Sequence, residues 1–267
     1  MKNILAFISF SILFICFSGC TSSPQNNLNS SISSKINIAI SESITKSGRS
    51  VILTCTTDSV YACSNYGINT SIQKENNSTV IKFNEITTPS VCATAFAPAS
   101  TEINLGYLNN GNYSFQFLAN GEVFQTSIIV NDNYFKVSNQ TGNWIDLKTP
   151  LVLRVPVNTI WGYIGFYADT LKSEANMFLD SLKALGAKNF NFLPGNYTLF
   201  QIDSTGALLP PEGNTYKNTV PYIYIYNGNI DSAKALVKYY GQHSQISMSL
   251  LTDKGDAFYS WVLATEP

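Results

Sequence analysis

Between Ile36 and Val130 the chain reads as short segments and turns, with apolar residues alternating in segments such as Ile36 to Ile40 and Val51 to Cys55 and no convincing stripe at the helical period. Alternation of this kind turns one side of each segment to a core and the other to solvent, so this stretch is expected to be half-buried β-structure. The strands predicted are Ile36 to Ile40, Val51 to Cys55, Ile68 to Gln73, Thr79 to Phe83, Glu102 to Leu105, Asn112 to Leu118 and Val123 to Val130. Asn76-Asn77 separates two of them. Asn120-Gly121 separates the last two and is the strongest hairpin signal in the chain, because its residues accept the positive φ that a tight turn demands. Several short strands with regular turns predict a β-sandwich over residues 35–131.

Within this region the segment Ile103 to Phe115 (INLGYLNNGNYSF) contains Leu108-x-x-Gly111-x-Tyr113. It resembles a hairpin of bacterial immunoglobulin-like modules, and the resemblance implies a fold and no activity. Residues 132–149 read as a connector holding one short strand, Tyr134 to Val137. From residue 150 the pattern changes. Leu151 to Val157 is a predicted strand. Ser173 to Leu185 is a predicted helix with Ala175, Phe178, Leu179, Leu182 and Leu185 on one stripe, closed by Gly186. Strands follow at Phe190 to Phe192, Tyr197 to Asp203 and Tyr222 to Tyr226, then a helix at Ser232 to Tyr240, then strands at Ile246 to Leu251 and Ala257 to Val262. The order β-α-β-β-α-β resembles a ferredoxin-like α+β sandwich, so residues 150–267 are expected to form a second domain of that class. Trp161 to Tyr167 has no assigned role in that scheme.

The chain opens with Lys2 and an apolar run from Ile4 to Phe17, followed by Ser18-Gly19-Cys20. A short positive region, an apolar core and small residues make a secretory signal peptide over residues 1–19. The ending Phe17-Ser18-Gly19-Cys20 resembles the lipobox of bacterial lipoproteins, with Phe17 where leucine is usual. The resemblance implies that Cys20 is diacylated and anchors the protein, which is enough for stable membrane attachment. Residues 20–34 then read as the lipidated cysteine and a flexible tether. The stretch from Thr21 to Ser34 is uncharged and too polar to bury a core, and spans roughly 20 Å as a coil. Thr21 lacks the acidic side chain associated with inner-membrane retention, so the expected destination is the outer membrane where the cell has two.

Among the 267 residues 12% are charged and the net charge is −1, so no basic excess exists to hold a phosphate backbone and nucleic acid is excluded as a partner. One histidine, His243, excludes multi-histidine metal sites. No phosphate-binding glycine loop, Gly-x-Ser-x-Gly, His-Glu-x-x-His or calcium loop is present, and no metal or cofactor is expected. His243 reads as a solvated helix-end residue, and Asp253 and Asp256 as a hairpin turn.

An exported chain permits disulfides. Cys63 and Cys92 sit at strand ends where a staple is useful, and Cys55 alternates with Val51 and Leu53 as a buried strand residue. Cys63–Cys92 is therefore the expected pair, with Cys55–Cys63 and Cys55–Cys92 open as alternatives.

The remaining constellation is Pro221-Tyr222-Ile223-Tyr224-Ile225-Tyr226. If Ile223 and Ile225 face the helices, Tyr222, Tyr224 and Tyr226 line the opposite face as a ladder. Arg154 and Gln201 would join them, with Tyr259 or Trp261 nearby and the polar loop from Ser204 to Thr219 as a rim. Tyrosine's rigid apolar body and polar tip suit a contact surface. The function expected is a non-catalytic envelope lipoprotein binding a protein or glycan, with a second copy of the chain as a further candidate occupant of the tyrosine face. The alternative is a hydrolase of envelope polysaccharide or peptide working through scattered carboxylates.

Overall fold

The structure is a computed structural model, and it describes residues 30–265. The expected signal peptide, Cys20 and the expected tether as far as residue 29 lie outside the described residues. The last tether residues belong to the fold. Ile32 and Ser34 are buried, and the Ser34 hydroxyl accepts a hydrogen bond from the Ser59 amide at 2.9 Å.

The expected pairing of an immunoglobulin-like sandwich with a ferredoxin-like domain is not what the chain builds. Its larger part is one long sheet, curled into a half-barrel around a single core. The strands are β1 (Ser30–Ser31), β2 (Ile36–Thr45), β3 (Gly48–Tyr61), β4 (Gly67–Glu75), β5 (Ser78–Thr87), β6 (Ala97–Gly106), β7 (Gly111–Ala119), β8 (Glu122–Val130), β9 (Tyr134–Val137), β10 (Ile145–Leu147) and β11 (Leu151–Leu153). Their order is β10-β2-β3-β6-β4-β5-β7-β8-β9-β11, with β1 on β5. The strands read from sequence are present, and the Asn120-Gly121 hairpin joins β7 to β8 with φ of 51° and 79° at its two residues. Alternation decides which side of a strand is buried and leaves its partners open. Here β4 bridges to β6 through Gly67 and Ser100, which makes one curled sheet of what alternation alone also allows as two facing sheets. The region read as a connector supplies β9 and β10. β11, read as the first strand of the second domain, pairs instead with β9.

The Cys63–Cys92 disulfide is present and Cys55 is free and buried. The bridge ties the end of β3 to the loop before β6, and its reduction should lower stability by about 2–4 kcal/mol. Cys55 sits in the core at zero exposure, and burial pushes its thiol up to about 12, against roughly 8.5 for a free thiol. The unfolded chain therefore gives up this proton at lower pH than the folded one. The Cys55 contribution to stability is complete below about pH 8.5 and is lost as pH rises towards 12. Thiol titration should find Cys55 unreactive in the native protein and reactive once the protein is unfolded. Native labelling at the unfolded rate would contradict this burial.

The second sheet and its surroundings comprise β12 (Thr159–Phe166), α1 (Lys172–Ala184), β13 (Ala187–Lys188), β14 (Gly195–Asn196), β15 (Gln201–Ile202), β16 (Asn218–Tyr226), α2 (Ile230–His243), β17 (Ser247–Thr252), β18 (Ala257–Tyr259) and α3 (Ser260–Leu263), with β14 and β15 paired only to each other. Its order is β13-β16-β12-β17-β18, and every neighbouring pair is antiparallel. The unassigned segment Trp161 to Tyr167 is the heart of this layer, because β12 is its central strand. Residues 189–217, read partly as strands, form an excursion with only the short β14–β15 hairpin. Trp261 and Val262, expected in a strand, lie in α3. Both longer helices stand as read, and Gly186 follows α1 with φ of 109°.

The two sheets are joined by more than the chain. Arg49 on β3 donates to the Val155 carbonyl at 2.6 Å and pairs with Asp253 at 3.2 Å. It also lies 3.7 Å from Glu42, which pairs with Arg154 at 3.2 Å.

Candidate functional site

Strand alternation divides the second sheet cleanly. Ile160, Ile164, Phe166, Tyr222, Tyr224, Tyr226, Met248 and Leu250 share a core with Phe178 and Leu182 of α1 and with Val237 of α2. Trp161, Tyr163, Ile223, Ile225 and Leu251 face the other way. The tyrosine ladder is therefore beneath the helices, and the proposed orientation of the two isoleucines is reversed. Tyr222, Tyr224 and Tyr226 are all buried. The Tyr222 hydroxyl donates to the Ser249 carbonyl at 2.7 Å and the Tyr226 hydroxyl to the Asn229 carbonyl at 2.8 Å. Those bonds explain the reversal. A tyrosine can enter a core when its tip finds a carbonyl, so period two identified the faces without telling which was wet. Burial raises the Tyr222 phenol well above its usual range.

Arg154 and Gln201 do not join these residues. Arg154 is a core group of the first sheet, paired with Glu42, 5.0 Å above the Phe135 ring and bonded to the Asn131 carbonyl. Gln201 is exposed on the β14–β15 hairpin. With the ladder internal, it offers no surface to a partner or to a second copy of the chain.

The helix-free face is itself split. Its lower part, from Trp161 to Ile223 and Ile225, is covered by Phe192, Tyr197, Phe200, Ile202 and Leu208 of the excursion. Trp161 and Phe200 lie 5.0 Å apart between ring centres. The upper part is open. Across the strands, Pro221, Tyr163, Ser249 and Tyr259 stand in one row, and Thr219, Gly165 and Ser247 in the next. Trp261, in α3, lies beside Tyr259 with ring centres 4.9 Å apart and planes inclined at 34°. The loop before β16 folds over as the remaining wall, through Pro211, Asn214 and Tyr216. Together these groups, Pro221 apart, line a cleft of about 170 Å³. This loop, expected to rim Tyr222, Tyr224 and Tyr226, lies instead over the opposite face of the sheet.

Gly165 is required by this arrangement. The Tyr216 ring lies on its backbone, and a methyl group added there would come within 2.2 Å of the ring. Tyr216 also leans on Tyr167 at 5.3 Å. Asn214 fixes the loop, since its amide donates to the Thr219 hydroxyl and its side-chain oxygen accepts from the Tyr216 amide at 3.2 Å. The cleft's signal in the sequence was the aromatic segment Trp161 to Tyr167 with a glycine at 165, a strand whose missing side chain there leaves room for the Tyr216 ring.

The fold leaves the polar tips in this cleft unspent. Among the described residues, the hydroxyls of Tyr163, Tyr216, Tyr259 and Ser247 and the Trp261 indole N–H have no hydrogen-bond partner, whereas Ser249 accepts from the Tyr163 amide at 3.3 Å. Burial holds the Tyr163 phenol above its usual range, so it stays a neutral donor. Every lining side chain is uncharged at neutral pH.

The acids considered for chemistry are engaged elsewhere. Asp253 is held by Arg49, and Asp256 pairs with Lys46 at 3.5 Å and bonds Thr252. His243 is in the last turn of α2, with Nδ1 2.8 Å from the Tyr239 carbonyl and its ring stacked on Tyr239. Among the described residues, no group of three His, Cys, Asp or Glu is placed to hold a metal, and no helix is long and apolar enough to cross a membrane. The chain matches no protein-family model, and neither a curated protein nor a solved structure matches it.

Proposed function

We propose that this protein is an exported lipoprotein, held on a membrane through diacylated Cys20, that binds a component of the cell envelope in its aromatic cleft without chemically altering it. The observation that carries the binding reading is the cleft itself. Four aromatic side chains converge on an open, ring-sized space with their polar tips unused by the fold, and a concave apolar site with a few convergent polar groups is the usual form of a small-ligand site. The uncharged lining supports binding over acid–base hydrolysis, which needs a titrating group at the substrate. The export reading rests on the apolar leader and the Phe17 to Cys20 motif, and the Cys63–Cys92 bridge suits an oxidising compartment. In a cell with two membranes, Thr21 favours the outer one.

Two measurements test this. Cys20→Ser should abolish metabolic labelling with palmitate, and unchanged labelling would remove the anchor. Envelope extract should perturb the fluorescence of Trp261 in the wild-type protein and leave Trp261→Phe unaffected. Equal responses from the two proteins would remove the cleft as the binding site.

A further inference from the structure

We infer that the ligand of this cleft is an uncharged sugar ring, a step that rests on reading the cleft as the binding site. Three features of the lining select this chemistry. The first is electrical: no lining side chain is charged. A carboxylate, phosphate or ammonium group placed here would lose water and gain no counter-charge, which costs far more than burying a hydroxyl.

The second is the distribution of polar atoms. A sugar ring has apolar faces made of C–H groups and a rim of hydroxyls, each both donor and acceptor. The cleft offers the complement. The faces of Tyr259 and Trp261 form an apolar wall, with Trp261 55% exposed, so that wall is reachable. The unpartnered hydroxyls of Tyr163, Tyr216 and Ser247 are also of the donor-acceptor kind, and the indole N–H is a donor. A purely apolar ligand would bury these tips unpaired, and such groups are costly to leave unsatisfied. A hydroxyl-rimmed ring satisfies them.

The third is size. About 170 Å³ accommodates one six-membered ring and its substituents, below the usual range of roughly 300–1,000 Å³ for drug-sized ligands. Trp261 is half-exposed, so a single unit of a longer chain can be gripped while its neighbours stay in solvent. Shallow stacking with few hydrogen bonds predicts dissociation constants in the range of about 10 μM to 1 mM.

The test uses the mature full-length protein in a sugar-free zwitterionic detergent. Its Trp261 fluorescence is titrated with maltotetraose, cellotetraose and N-acetylated chitotetraose as neutral probes, and with tetragalacturonate and tetra-alanine as contrasts. At least one neutral probe should give a saturable change that is absent in Trp261→Phe. Its affinity should fall tenfold or more in Tyr259→Ala, and threefold or more in Gly165→Ala, where the Tyr216 ring is displaced. Circular dichroism of each variant separates lost binding from lost folding. If no neutral probe responds while envelope extract still perturbs Trp261, the sugar inference is overturned and the cleft remains the binding site. If neither responds, both readings fall. A response to tetra-alanine or tetragalacturonate stronger than to every neutral probe also overturns the inference.

Discussion

Replacing Glu42 by alanine should lower the unfolding free energy by about 3–5 kcal/mol, measured by chemical denaturation, because it leaves the buried Arg154 guanidinium without its counter-charge. Glu42 is 2% exposed and Arg154 7%. The carboxylate bonds the Arg154 Nε at 3.2 Å and lies 3.7 Å from the Arg49 guanidinium, itself held by Asp253. The arrangement runs from the first sheet through the chain crossing at residue 154 to the turn of the second sheet. Loss of Glu42 therefore weakens the junction as well as the core. Replacing Glu42 and Arg154 together with leucine and methionine should cost markedly less than the sum of the two single changes, since a buried pair exchanged for apolar groups is often close to neutral. Additive losses would show that the two side chains do not act as a pair.

The second large effect separates the two sets of aromatic residues. Tyr222→Ala should cost about 3–5 kcal/mol, as large-to-small changes at aromatic core positions do. Its ring packs edge-on against Phe178 at 5.8 Å and beside Tyr224 at 6.1 Å, and its hydroxyl reaches across β12 to the Ser249 carbonyl of β17. Trp261→Ala, at a half-exposed position, should change stability by only about 0.5 kcal/mol or less while weakening ligand binding tenfold or more. Thermal unfolding and the fluorescence or calorimetric titration read the two effects independently. A Trp261→Ala protein that unfolds as readily as Tyr222→Ala would make the cleft aromatics part of the core and not a binding wall.

These two predictions also mark what the sequence could and could not show. The strands of the first sheet were legible because alternation and the Asn-Gly turn act locally. The disulfide was legible because Cys63 and Cys92 fell at strand ends while Cys55 fell on the apolar side. The partners of the strands were not, since a two-sheet sandwich and one curled sheet use the same alternation. On β16 the alternation of tyrosine and isoleucine was read correctly and its sides reversed. Isoleucine covers an aromatic cluster as readily as a helix, and tyrosine hydroxyls found carbonyl oxygens inside. The cleft escaped because its residues come from four separated segments, two serines among them. Glu42 gave the one overlooked local clue: it continues the series Ile36, Ile38, Ile40 at a position where an acid must have a buried partner.

The order of strands in the first sheet also bears on how the chain is made. Its two flanks, β10 and β11, are neighbours in sequence, separated only by Lys148, Thr149 and Pro150. A chain emerging from its amino terminus thus completes β2 (Ile36–Thr45) long before β10 (Ile145–Leu147) can cover it, whereas β9 follows β8 after Asn131, Asp132 and Asn133. The segment from Tyr134 to Leu153 then supplies β9 against β8, β10 against β2, and β11 against β9. Until that segment arrives, the nascent sheet presents two unpaired strand edges, the kind of surface that recruits other chains. Late synthesis of a twenty-residue clasp therefore sets the interval in which the polypeptide needs protection, and the long-range pairing of β10 with β2 makes the closing step slow compared with local hairpin formation.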